Sequence, residues 1–242
     1  MALLTRPPRA FEVEDVDLFD LAGTLRLDRV QSVALLERAS DPRRTAAPDF
    51  PFSTLPCGAT PVLELRRPVH LLADLLTMVE QARRPLNRIA VCYVGDGQAD
   101  IARSLLLAGT LLGMDVRISS PGPMWPSEEL IAQAQDLAGE SGARLLVTPH
   151  RDHALRGARF VVVGAWAHGE LVAGDGAATD YLITEDFLAT SGLRTAGHSR
   201  ATGSVDFAPK VPRDLQAVQL VNRRRVMAAV LADWTGIAGE TS

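Results

Sequence analysis

The sequence predicts an α/β protein built on a doubly wound parallel sheet. Short apolar, β-rich runs recur at 89–94, 115–119, 144–148 and 159–163. Stretches with helical spacing of apolar residues alternate with them, as parallel strands joined by crossover helices require. The composition agrees: 47% of the 242 residues are hydrophobic and 22% charged, too apolar for a disordered chain. At roughly 100–200 residues per domain, the length admits one large or two small domains.

Residues 1–12, with Pro7-Pro8 and two arginines, read as a tail. Leu18, Leu21, Leu25, Val30, Val33, Ala34 and Leu36 then fit helical spacing. Gly23-Thr24 interrupts them, so a short turn feeding a helix from about Arg26 is expected. Pro42, Pro48, Pro51 and Pro56 make 40–61 a loop or linker, because each proline removes a backbone donor. Residues 69–82 carry leucines on one face and stop before Arg83-Arg84-Pro85, the form of a helix with a proline stop. The strand at 89–94 (IAVCYV) ends in Gly95-Asp96-Gly97, and 101–112 form the next helix. After the strand at 115–119 comes a helix over 127–141 with Ser127 as N-cap. The strand at 144–148, a short helix at 153–157, the strand at 159–163 and a long helix over 215–234 complete the order.

Charge and cysteine content narrow the function. A formal net charge of -4 disfavours nucleic acid as a partner. Two cysteines, Cys57 and Cys92, fit a reducing compartment better than a disulfide scaffold. The first residues lack the apolar core of a signal peptide, and no stretch approaches the roughly 18 apolar residues a membrane span needs. The expectation is a cytoplasmic protein without membrane contact.

In a doubly wound sheet, ligands bind beyond the carboxyl ends of the strands, at the switch in strand order. The first such end carries Gly95-Asp96-Gly97-Gln98-Ala99-Asp100. The G-x-G-x-x-G spacing of a dinucleotide site is absent there, and Asp96 would repel a pyrophosphate, so no cofactor is expected. The fourth end carries Trp166, His168 and Glu170, where a histidine beside an acid suits acid–base work. His198 falls in a small-residue loop. His150 and His153 lack the further ligands that a site of roughly four would need, so no metal is expected. Cys92, inside an apolar strand, reads as an inert packed thiol. Arg223-Arg224-Arg225 is read as opening the last helix, with one arginine pointing back as an anion anchor.

These residues resemble the ornithine/aspartate carbamoyltransferase family, on the ornithine side. His70 to Thr77 looks like the family's H-P-x-Q-A-L-x-D-L-x-T helix, and Val94-Gly95-Asp96 with Ser104-Leu105 like its G-D-x-x-N-N-x-x-N-S segment. Leu111 to Arg117 and Pro121 to Pro126, with Trp125, are similar to the next strand and loop. Residues 162–170, with Trp166, resemble T-D-V-W-x-S-M-G, and Asn222-Arg223 the E-N-R of the closing helix. The resemblance spans about residues 60–235, with 18–39 similar to the family's first helix. It implies a Rossmann-like amino-acid-binding domain over 61–242, preceded at 1–60 by a helix and Pro-rich linker left from a carbamoyl phosphate domain.

The departures imply changed chemistry. The family's phosphate-binding S-x-R-T-R is missing; Arg43-Arg44-Thr45 is a faint echo in a proline-rich loop. The resemblance would put a glutamine where Ala73 stands, asparagines at Ala99 and Asp100, an ornithine-contacting aspartate at Gly164, and H-C-L-P near 196–199. Losing even one anion-stabilising donor costs roughly 2.7–4 kcal/mol of transition-state stabilisation. The expected function is therefore a repurposed enzyme acting on an amino-acid-like or ureido/guanidino metabolite by acid–base chemistry. His168, His198 and Asp100 would be its catalytic groups, with Gln98, Trp166, Glu170, Arg223 and His70 binding substrate. The alternatives are carbamoyl transfer with a partner chain or adjacent subunit completing the site, and a non-catalytic amino-acid-binding or regulatory subunit. Apolar surface uncovered on the first and last helices would favour a homo-oligomer, and the resemblance implies a trimer as its form.

Overall fold

The computed structural model describes residues 24–27, 29–40, 63–66, 68–164, 197–200 and 215–235. Their elements are β1 (Thr24–Leu27), α1 (Arg29–Ser40), β2 (Leu63–Arg66), α2 (Pro68–Ala82), β3 (Ala90–Val94), α3 (Asp100–Leu111), β4 (Asp115–Ser119), α4 (Glu128–Ser141), β5 (Arg144–Thr148), α5 (Arg151–Leu155), β6 (Phe160–Val163), β7 (Gly197–Arg200) and α6 (Gln216–Thr235). Strands β3 to β7 form a parallel sheet in the order β5-β4-β3-β6-β7. Order reverses at β3, so the switch-point crevice lies at the carboxyl ends of β3 and β6.

Side chains alternate across the pleat and commit each face to a layer. Val91, Tyr93, Val116, Ile118, Phe160 and Val162 join one buried cluster with α2, α3 and α4. On the other face Arg117 reaches α5, donating to the Ala154 carbonyl at 3.0 Å while its Nε and Nη2 grip Asp115 at 2.9 and 2.8 Å. The α2 helix opens on a proline, tolerated in the first turn because that N–H has no intrahelical partner. It is buried without a break from Leu71 to Val79, as a helix packed against α1, α3 and α6 at once must be. The Ser127 hydroxyl accepts from Leu130 N–H at 3.2 Å and caps α4, and Gly142 (φ 74°) ends it in the left-handed region.

Three local expectations change. Residues 24–27 form no turn into a helix but a strand, antiparallel to Leu63–Arg66, and α1 starts at Arg29. The short α5 begins at Arg151, two residues before the expected start. Residues 197–200, expected in a loop, add a fifth parallel strand beside β6. Each pairing joins segments more than 30 residues apart, which local spacing does not reveal. The tail at 1–12 and the linker from 41 to 61 lie outside the described residues.

Candidate functional site

At the switch point the two strand ends touch backbone to backbone. Gly95 N–H donates to the Ser119 carbonyl at 3.2 Å and Gly164 N–H to the Val94 carbonyl at 2.8 Å, so the ladder runs past the strands' formal ends. A Cβ on Gly95, at φ 153°, would lie 3.0 Å from Gly164 Cα. Beneath both sits the fully buried Tyr93, whose hydroxyl donates to the Asp96 carbonyl at 3.1 Å. Burial, with the Asp96 charge in support, pushes its phenol up from the usual 10.0.

The loop that follows is closed on itself. Gly97 N–H donates to Ser120 Oγ at 3.3 Å, Gln98 N–H to Asp96 Oδ1 at 2.8 Å, and Ala99 N–H to the Asp96 carbonyl at 3.1 Å. A second loop clamps it: Ser120 Oγ donates to the Met124 carbonyl at 3.1 Å, Gln98 Nε2 to the Pro123 carbonyl at 3.0 Å, and Trp125 Nε1 to the Ser120 carbonyl at 2.8 Å. Asp100 sits in the first turn of α3, where a carboxylate is favoured by the helix dipole and an arriving anion is opposed. The N–H groups of Gly97, Gln98 and Ala99 are taken by the chain's own oxygens. Asp96 thus acts as a loop brace.

A second polar assembly lies in the α2–α6 seam. Gln219 donates to Asp74 Oδ1, and Asn222 Nδ2 donates to Thr77 Oγ1 at 2.9 Å and to Glu80 Oε2 at 3.0 Å. Arg225 pairs with Glu80 at 2.7 Å and donates from Nε to the Ala39 carbonyl at 2.8 Å and from Nη2 to the Ser40 carbonyl, fastening the end of α1. Burial pushes the Asp74 carboxyl up from 3.8 to about 7, against the opposing pull of the Arg223 guanidinium and the Gln219 hydrogen bond. Asp74, Thr77, Phe160, Leu215 and Gln219 line a small cavity there.

The predicted site residues divide between these places. Gln98 and Asp100 lie at the β3–α3 turn, Gln98 exposed and engaged with Pro123. His70 and Arg223 belong to α2 and α6, and Arg223 acts on Asp74. The arginine triplet does not open the last helix; it lies well inside α6, because helical residues begin at Gln216. His198 is in β7, in register with Val161, and not in a loop. Trp166, His168 and Glu170 lie outside the described residues, as does Cys57. Cys92 is fully buried, and burial pushes its thiol well up, as expected of a packed cysteine. Among the described residues no group of three or more metal-ligating side chains occurs. Sequence reasoning passed over Tyr93 and the Gln219–Asp74 and Arg225–Glu80 pairs. A tyrosine inside an otherwise aliphatic strand, whose hydroxyl needs a partner once buried, was the available signal for the first.

A parallel sheet with a glycine-built switch point defines a domain of the small-molecule-binding α/β class. Residues 87–192 match the family described as aspartate/ornithine carbamoyltransferase, Asp/Orn binding domain, so this stretch of the chain is similar to that domain. The chain is 48% identical over 99 residues to an ornithine carbamoyltransferase of Neisseria animalis, covering 41% of this chain and 43% of the relative. To that of Neisseria flava it is 40% identical over 133 residues, covering 52% and 56%. The crystal structure of ornithine carbamoyltransferase from Gloeobacter violaceus superposes with a TM-score of 0.60 at 29% identity, over 68% of this chain and 57% of that one. The chain spans about half the length of the curated relatives it matches. No helix among the described residues is long and apolar enough to cross a membrane.

Proposed function

We propose that this carbamoyltransferase-like chain is a repurposed enzyme acting on an amino-acid-like or ureido/guanidino metabolite by acid–base chemistry, with no carbamoyl phosphate site of its own. The observation that carries the reading is the closed β3–α3 loop: Gly97, Gln98 and Ala99 spend their N–H groups on Ser120 and Asp96. Asp100 adds a negative charge at the same helix end. Transfer from carbamoyl phosphate needs donors free to hold an anion, whereas proton transfer at a bound amino acid does not. In this reading 61–242 is the working domain and 1–60 the remnant of another. Arg223 holds the substrate's anionic group, Asp100 a cationic nitrogen, and His168 or His198 moves the proton. Gln98, Trp166, Glu170 and His70 complete the binding surface.

A thermal-shift screen of the full chain against carbamoyl phosphate, ornithine, citrulline and arginine tests this. An amino-acid ligand at about 100 times its dissociation constant should add roughly 2.7 kcal/mol of stability. A strong shift by carbamoyl phosphate alone would overturn the reading. In a second reading, a partner chain or an adjacent subunit of a homo-oligomer completes a carbamoyl-transfer site. It requires carbamoyl phosphate to bind only once that assembly has formed, which titration before and after assembly would detect.

A further inference from the structure

The parallel strands all begin at one end of the sheet, opposite the switch-point crevice, and the helix-to-strand turns that feed them are rich in arginine. Arg83, Arg84 and Arg88 stand between α2 and β3, Arg144 opens β5, and Arg156 and Arg159 lie between α5 and β6. All are exposed except Arg159, which is partly buried. None has an ion-pair partner among the described residues, and Arg159 Nε is buried without an acceptor. Against them stand Asp115, already held by Arg117, and the exposed Glu140 near the end of α4. A cation at a helix carboxyl end answers the helix dipole, but that effect fades beyond the last turn. Arg88 and Arg159 lie past the last turns of α2 and α5, so the dipole does not account for them. Arg83, at φ 50°, holds the left-handed position after α2 that glycine usually fills, and the fold keeps a side chain there against a steric cost.

Unpaired cations gathered at one end of a chain with net charge -4 call for an anionic partner. The chain carries one in Glu12, Glu14, Asp15, Asp17 and Asp20, with no basic residue between them. Thr24 pairs with Arg66, just before α2 begins, and the 15-residue α2 covers about 22 Å from there to the arginine end. The chain from Thr24 back to Glu12 spans up to about 40 Å when extended, enough to reach it. We propose that the acidic segment 12–20 docks on the arginine end of the sheet of its own chain, its carboxylates gripped by the guanidinium forks. A nucleic acid, the other polyanion that suits such a surface, is opposed by the net charge of the chain. The contact is independent of the amino-acid reading, whose crevice lies at the other end of the strands.

The test uses the full chain and a synthetic peptide of residues 11–21. Neutralising the segment (Glu12→Gln, Glu14→Gln, Asp15→Asn, Asp17→Asn, Asp20→Asn) removes the tethered competitor. At low salt this variant should bind the peptide at least about tenfold more tightly than the wild type. Adding Arg84→Gln, Arg88→Gln and Arg144→Gln, all at exposed positions, should abolish that binding, and high salt should weaken it. Equal binding by wild type and neutralised chain, or binding that survives the arginine changes, would overturn the proposal. So would a duplex oligonucleotide held more tightly than the peptide by the neutralised chain, which would make this end a nucleic-acid surface. Thermal melts give a second measure without the peptide. The acid and arginine variants should each melt below the parent, and the combined variant no lower than either. Additive losses would overturn the docking, and a loss in the acid variant that grows with protein concentration would give the contact to a second copy and overturn its assignment to the same chain. Should the five changes together prevent folding, Asp15→Asn/Asp17→Asn takes their place in every comparison.

Discussion

Gln219 on α6 holds Asp74 on α2 across 145 residues of chain, inside a seam from which water is almost wholly excluded. Both side chains are buried, and the carboxyl is raised to about 7 chiefly by that burial. The partner amide and Arg223 offset only part of the desolvation.

Stability should consequently fall as pH rises toward neutrality. Between the unfolded value of 3.8 and the folded value of about 7, the native chain keeps a proton that the unfolded chain has released. The contribution is complete below pH 3.8, declines by at most about 1.4 kcal/mol per pH unit through the window, and levels off above pH 7. Asp74→Asn keeps an acceptor for Gln219 and cannot ionise, so its melting profile should be flatter from pH 5 to 7. Parallel profiles for the two proteins would show that Asp74 does not titrate in that range.

The Arg225 fork should matter more than its ion pair. An ion pair still open to solvent, as Arg225–Glu80 is at 27% and 28% side-chain exposure, is worth little alone, but the same guanidinium also serves Asn222 and the carbonyls at the end of α1. Arg225→Ala should cost about 1–3 kcal/mol in urea denaturation. Arg225→Lys should recover only a fraction, because an ammonium cannot reproduce the planar fork. Full recovery by lysine would mean that charge alone carries the effect.

Closing the site loop requires glycine at 97. A Cβ there would meet the Met124 carbonyl oxygen at 2.7 Å and Pro126 Cδ at 2.8 Å, neither of them free to swing away. Gly97→Ala should destabilise by roughly 1–3 kcal/mol and weaken any ligand that the thermal-shift screen finds. Gly142→Ala, which puts a side chain on the left-handed residue at the opposite end of α4, should cost about 1 kcal/mol and leave ligand affinity unchanged. Affinity lost equally in both variants would point to general loosening and away from the loop.

Cys92 should be silent to thiol reagents until the chain unfolds. In a Cys57→Ser background, which leaves one thiol, an aromatic disulfide reagent should react only in denaturant, since the buried thiol resists ionisation. Rapid reaction of the native protein would place that face of β3 within reach of solvent.

The candidate site was legible in part. Gly95-Asp96-Gly97 and the strand end at Gly164 were visible as a switch-point loop, because glycines after apolar strands have a local cause. The Asp96 brace is a local turn to Gln98 and Ala99, and its signal was an aspartate two residues before an N–H it can cap. That Tyr93 fills the space beneath Gly164 was not visible, because it depends on the neighbouring strand. The same limit placed Arg223 at a helix start when α6 runs on both sides of it, and left Arg225 unnoticed beside it.

The sequence by itself determined the alternation of β3 to β6 with α3 to α5, the α2 and α6 helices and the Ser127 cap. Each of these follows from apolar period, proline or a capping hydroxyl within one short window. Only the tertiary structure decided that Thr24–Leu27 pairs with Leu63–Arg66, that Gly197–Arg200 joins the sheet beside β6, and which polar side chains meet in the α2–α6 seam. Those choices are made by partners far away in the chain, whose burial and hydrogen bonding outweigh the weak preferences of the segments themselves.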